Sequence, residues 1–187
     1  MIAGIDFGAR FSGGTAVCFD ADTRLCVWRA KRGQDADVFL EDFMRRCKPA
    51  AVYIDAPLSL PAAYFDRGND FFYRVCDRQL GAMSPMFLGG LTARAISFKD
   101  RWSAVTVLEV YPRAAARALE VEGIRGYRES TPGDYVARLT AALPLPLKSR
   151  VTSWHEVDAV LAWWSGWRHT HGRATCFGDG EEGQIWV

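Results

Sequence analysis

The chain has almost no net charge. Its 23 Lys and Arg stand against 22 Asp and Glu, leaving +1 over 187 residues. No strong basic field steers it toward nucleic acid, so any such partner must be met by local patches. Cysteine is scarce and scattered: Cys18, Cys26, Cys47, Cys76 and Cys176 are odd in number, with no CxxC spacing. They read as free thiols in a reducing compartment. Cys18 and Cys26 could face each other across a hairpin, although buried small hydrophobes describe them better. His169 and His171 near Cys176 lack a complete zinc donor set. No apolar run reaches ~18 residues, which excludes a membrane-spanning helix. The chain opens on a strand-like run rather than a basic and then apolar leader. A cytoplasmic protein is therefore expected. Walker A and GxGxxG sequences, internal repeats and low-complexity segments are all absent.

What is present is an ordinary globular balance, with 49% apolar and 24% charged residues. The length suits one domain, 1–187, with a real core. Ile2, Ala3, Ile5 and Phe7 read as a buried strand, interrupted by Asp6. A carboxylate there is costly unless paired, hydrogen-bonded or bound to a metal. Capping the Gly8–Gly14 turn is the other account of it. Thr15–Phe19 and Leu25–Ala30 continue the strands, joined by turn residues 20–23, so the three predict an antiparallel meander.

Ala36, Phe39, Leu40, Phe43, Met44 and Cys47 keep helical spacing between Asp35 and Pro49. Ala50–Ile54 is the next strand and ends at Asp55. A helix between two strands implies a parallel crossover. Residues 57–103 are punctuated by Pro57, Pro61, Gly68 and Pro85 and read as an insertion on one side of the sheet. Short helices are expected there near Asp70–Leu80 and Leu91–Phe98. Ala104–Tyr111 is a fifth strand with Glu109 near its end. Helices then follow over Arg113–Val121 and from Thr131 to about Leu143. Ser153 and Glu156 form a capping box that starts the last helix. Val157, Val160, Leu161 and Trp164 are its core stripe, with Asp158 at the lip and His155 one turn before. The tail ends in Gln-Ile-Trp-Val, read as a short closing strand. The pattern predicts an α/β fold: a mixed five-stranded sheet with helices on both faces and an insertion after the fourth strand.

Asp6, Asp55 and Glu109 each stand near the carboxyl end of a strand predicted parallel to the others. Ligand sites of open α/β sheets gather at those ends. Asp158 can add a fourth acid. Carboxylates crowded together need cations to stay ionised. Oxygen-only donors select Mg²⁺ or Mn²⁺, and two such ions ~4 Å apart serve phosphodiester hydrolysis. Capping turns or pairing with arginines is the bland reading of the same acids.

The layout resembles the ribonuclease-H-like fold. GIDFG followed by GGTAV resembles the opening of Holliday-junction-resolvase-type members, and HEVDAVLAW their last-helix motif. More closely, IDAPLSLP, RVCDRQLG, EVYPRAA, HEVDAVLAWWSG and GEEGQIWV resemble a family of predicted nucleases of this fold, domain of unknown function 429. The resemblance implies a metal-dependent nuclease. It implies Asp6, Asp55 and Asp158 as metal ligands, Glu109 as a further catalytic acid, and His155 as ligand or proton shuttle.

Arg74, Asp77 and Arg78 share one helical face, and Arg94, Lys99 and Arg101 form a small basic group. Both sets could meet a phosphate backbone, or pair and solvate locally. The insertion is expected to overhang the site. Trp163, Trp164 and Trp167 read as core. Two further functions stay open: a non-catalytic member that binds nucleic acid or protein, and an actin-like nucleotide-binding domain, suggested by Asp6-x-Gly8 and Gly13-Gly14-Thr15. The latter architecture needs two such domains around the nucleotide. Monomer and homodimer are both compatible with the sequence.

Overall fold

In a computed structural model of residues 1–187, the opening apolar run forms β1 (Ile2–Asp6), in the interior of the sheet. β2 (Ala16–Ala21) and β3 (Arg24–Arg29) follow it as the expected antiparallel meander. Cys18 stands opposite Val27 rather than Cys26, and all five cysteines are free. α1 (Ala36–Cys47) starts where the Asp35 carboxylate accepts the Asp37 N–H. It carries the chain over to β4 (Ala51–Asp55), parallel to β1. β5 (Thr106–Val110) lies parallel to β4. The order β3-β2-β1-β4-β5 puts the first strand beside the fourth and the fourth beside the fifth. The arrangement is the mixed α/β sheet with helices on both faces that the sequence predicts.

The sheet has seven strands, not five. A hairpin of β6 (Cys176–Asp179) and β7 (Gly183–Trp186) extends the edge beyond β5. β7 meets β5 at only two positions, Glu109 with Ile185 and Val110 with Trp186. The closing strand is legible in the tail. Its partner Cys-Phe-Gly-Asp has no apolar alternation to betray it.

The insertion folds into a 3-10 turn at Ala62–Phe65, then α2 (Val75–Leu80), α3 (Pro85–Leu88) and α4 (Gly90–Arg101). α2 is shorter than the pattern suggests. Asp70 accepts the Phe72 and Tyr73 N–H groups, making a turn where the helix was expected to begin. α5 (Pro112–Val121), α6 (Pro132–Leu139) and α7 (Trp154–Thr170) complete the chain. No helix is long and apolar enough to cross a membrane.

Strand pleating sorts the core into two layers. Ala3, Ile5, Val52, Ile54 and Val107 pack with Leu40, Phe43 and Met44 of α1 and with Ala95 and Phe98 of α4. The opposite face carries α7, which packs onward against α5 and α6. Two glycines let α7 lie directly on the sheet. A Cβ on Gly4 would stand 2.0 Å from the Trp163 backbone nitrogen, and one on Gly166 would stand 2.2 Å from the Tyr53 ring. The Ser153–Glu156 capping box sets where α7 begins. Together these features bring His155 and Asp158 to the carboxyl end of β1.

Gly4→Ala is therefore expected to cost about 3 kcal/mol, the upper range for overpacking, because backbone rather than a flexible side chain blocks the new methyl. Gly133→Ala in α6, where nothing lies within 4 Å of the new methyl, should instead be neutral or stabilising by up to about 1 kcal/mol. Urea unfolding of the two variants checks the contrast.

Candidate active site

Asp6 and Asp55 are register partners in the parallel pair β1–β4. Pleating turns both toward α7, on the side of Gly4 and Tyr53. Asp6 accepts or shares a hydrogen bond with His155 Nδ1, 2.6 Å away. Gly14 makes room for that imidazole, since a Cβ there would come within 3.1 Å of it. Asp158, one turn further along α7, accepts the Tyr127 hydroxyl at 2.8 Å and an Arg128 N–H at 2.5 Å. Asp55 has no hydrogen-bonding partner, and only desolvation and neighbouring charges act on it.

Two cavities meet at Asp55. One, of about 350 Å³, is lined by Asp6 and Asp55 and walled by Pro57, Met83, Leu88 and Leu91 of the insertion. The other, of about 450 Å³, holds Asp55, Asp158, Tyr111, Arg113, Tyr127 and Arg128. The insertion thus overhangs one side of the acids, and the α5–α6 connection covers the other.

The acids carry one another's electrostatic burden. Burial, then the charges of Asp6, Asp158 and Glu109, push the Asp55 carboxyl well above its usual range. Burial and the Asp6 charge push Asp158 up to about 6. Asp6 is raised by burial, against the pull of its His155 bond. That same bond raises His155.

Glu109 does not join them. It stands beside Ile54, one place out of step with Asp55, so the pleat turns it to the α1–α4 face. There it accepts two N–H groups of Arg74, each at 2.7 Å, and the Leu58 N–H at 2.9 Å. Arg74 also grips Asp77 at 2.7 and 3.0 Å. Arg74 and Asp77 are each 1% exposed. The expectation that they meet a substrate backbone is therefore corrected: Arg74 bonds two buried acids, Asp77 and Glu109, inside the protein. Arg94 is occupied too. It pairs with Asp37, donates to the Gly8 carbonyl and lies over the Phe7 ring, clamping the end of β1. Arg78 pairs with Asp70 at the surface, and Lys99 is exposed beside a small cavity near Ser59 and Glu109.

The donor set suits a hard divalent cation in its chemistry: Asp6, Asp55 and Asp158 offer oxygens only, and Asp55 has no protein partner. The arrangement is incomplete, because no three acid, His or Cys side chains are placed to hold an ion. Arg128 and Tyr127 occupy the oxygens of Asp158, and His155 occupies Asp6. These two Asp158 partners, with Arg113, are the residues that sequence reasoning missed. Tyr127 and Arg128 lie in the helix connection Ile-Arg-Gly-Tyr-Arg, which reads only as a loop, and Arg113 lies in the first turn of α5.

A family model described as "Protein of unknown function (DUF429)" matches residues 88–183. No curated protein matches the sequence. Two solved structures are similar. One is "T. thermophilus RuvC in complex with Holliday junction substrate", at 19% identity and a TM-score of 0.48, covering 92% of this chain and 96% of that one. The other is "Thermus thermophilus RuvC structure", at 16% identity, the same TM-score and the same coverage.

Two outcomes are expected. Arg74→Met leaves Asp77 and Glu109 buried without a counter-ion and should cost about 3–5 kcal/mol in urea unfolding; an arginine serving only a substrate would leave stability unchanged. For Asp158, the folded carboxyl keeps its proton up to about pH 6, against 3.8 for an ordinary one. The folded chain binds more protons between those values, so stability falls as pH rises through that window. Asp158→Asn removes the dependence. Without divalent ions, the variant's melting temperature minus that of wild type should become more positive up to about pH 6 and then level off.

Proposed function

The chain belongs to the family described as "Protein of unknown function (DUF429)", and we propose that it is a phosphodiester hydrolase acting on nucleic acid with Mg²⁺ or Mn²⁺. The observation that carries this reading is Asp55: a desolvated, unpartnered carboxylate between Asp6 and Asp158. An isolated carboxylate in that position is costly, and a cation relieves the cost. Asp6, Asp55 and Asp158 would hold the ion, and hard oxygen donors favour Mg²⁺ or Mn²⁺. Bound there, it would supply the charge that activates a water and stabilises a leaving oxygen.

The chain's own groups have distinct tasks in this reading. Asp6 orients His155 through Nδ1, leaving Nε2 to take up or release a proton. Half of the His155 side chain is open to solvent, so that nitrogen can exchange with water. Met83, Leu88 and Leu91 wall the cleft and restrict water beside the acids. Phe71, Phe72 and Phe87 are more than half exposed on the insertion, near Arg78 stacked on Tyr73. Exposed aromatics beside a cation suit stacking of unpaired bases. The free thiols fit a cytoplasmic setting.

One observation favours the binding-only reading. Arg128 already neutralises Asp158, so the acids can persist without an ion.

The test is a panel of single-stranded, duplex, hybrid and branched nucleic acids. Cleavage should require Mg²⁺ or Mn²⁺, fail in Ca²⁺ and fall steeply with salt. Asp55→Asn should abolish turnover and keep binding. Phe87→Ala should weaken binding by about 1–3 kcal/mol. If no substrate is cut, or if Asp55→Asn cuts as well as wild type, the hydrolase reading fails and the binding-only one replaces it.

A further inference from the structure

The two cavities that meet at Asp55 differ in kind. Four acids line the one under the insertion, Asp6, Asp55, Asp77 and Glu109, and no lysine, arginine or histidine does. Asp77 and Glu109 are taken up by Arg74. The rest of its wall is mostly apolar, with Pro57, Leu88 and Leu91 on the insertion side and Val110 and Ile185 from the sheet. Its volume of about 350 Å³ falls within the roughly 300–1,000 Å³ of small-molecule sites. Met83 lines it and is 59% exposed, so it opens to solvent there. The cations near these acids, Arg113 and the Asp158-bound Arg128, line the other cavity. Tyr111 borders both.

The pair of cavities therefore sorts a ligand by charge. A phosphate entering under the insertion would meet carboxylates and no cation. A flat, uncharged ring system gains there by leaving water. A nucleotide carries one part of each kind. The surface beside the cavity has matching chemistry. Phe87, next to Leu88, is 64% exposed, and the rings of Phe72 and Tyr73 stand 5.8 and 6.0 Å from it. Neighbouring bases of one strand can stack on such rings.

We propose that the cavity under the insertion receives an unpaired nucleobase. This rests on the reading that the acids act on nucleic acid, and it names the substrate class: a strand whose base is unpaired beside the scissile bond, not an uninterrupted duplex. A paired base is held in its stack, and turning it out costs free energy that an unpaired base does not require. Packing between Met83, Leu88, Leu91 and Tyr111 holds the base. Such contacts detect that a base is present and distinguish little between bases.

The test is binding in EDTA, without any divalent ion. Met83 is one of four methionines, so ¹³C-methyl labelling compares it with Met44, which is 2% exposed in the core. Adenosine and cytidine, which carry a base and no phosphate, should each shift the Met83 signal saturably and leave Met44 in place. Leu88→Trp fills the cavity and should abolish the shift. Fluorescence anisotropy then compares a single-stranded homopolymer with an all-abasic strand of the same length. The strand with bases should bind about tenfold more tightly, and Leu88→Trp should remove most of that difference. Met83→Ala, at an exposed position, keeps the fold if Leu88→Trp does not. It should weaken homopolymer binding about threefold and leave the abasic strand unaffected. A Met83 signal that the nucleosides do not move, a shift that survives Leu88→Trp, or equal affinity for the two strands overturns the inference. So does a Met83 signal that moves with protein concentration alone, which would assign the cavity to a second copy of the chain. The outcomes also separate the two readings. Cleavage of the abasic strand as fast as of the strand with bases sinks the base pocket and leaves the hydrolase. The expected shifts with no strand cut leave the pocket and sink the hydrolase.

Discussion

The contact between α7 and β1 governs the rest of the molecule. It exists because Gly4 has no side chain where the backbone of Trp163 comes down. Helix and strand then meet at a separation that larger residues would forbid. Every important position follows from this approach. Trp163 closes the core beside β1 and donates to Asp20, and the amino end of α7 arrives at the carboxyl end of the sheet. His155 can reach Asp6 only from there. A side chain on Gly4 would force the helix away from the strand and shift His155 and Asp158 with it.

Much of this frame could be read without coordinates. The apolar runs place β1, β4 and β5, and the Asp35 cap and the Ser153–Glu156 box mark two helix starts within a residue. Asp6, Asp55 and Asp158 stood out as costly acids near strand ends or a packed helix face, and their placement agrees with that pattern. Glu109 shows where such reading runs out. It shares their distance from the strand end but not their pleat parity, and parity depends on a register that no single strand encodes. Arg74 failed for a related reason. Helical spacing put it on a face with Asp77 and Arg78, and nothing local reveals that a distant Glu109 draws it inside. Arg128 was hidden because loops have no periodicity. The β6–β7 hairpin was half hidden, because only β7 carries an apolar signature.

The two faces of the sheet handle buried acids in opposite ways. On the α1–α4 side, Glu109 and Asp77 share one fully buried guanidinium with bidentate geometry. Every one of those carboxylates is hydrogen-bonded within the protein, although Glu109 also lines the cavity beside Asp6 and Asp55. On the α7 side, Asp6, Asp55 and Asp158 have only one half-exposed histidine and one half-exposed arginine between them. Each partner hydrogen-bonds a single acid, and Asp55 has none.

The contrast argues about function more directly than any motif does. A protein able to bury Arg74 completely beside two carboxylates has the means to give its acids a fixed partner. It does so on one face. On the other, the counter-ions are borne on the first turn of α7 and on a loop, both within reach of solvent, and the central acid lies open to two cavities. Carboxylates crowded in this way raise one another's proton affinity and lower the stability of the fold as they ionise. Arg128 limits that cost through its hydrogen bond to Asp158.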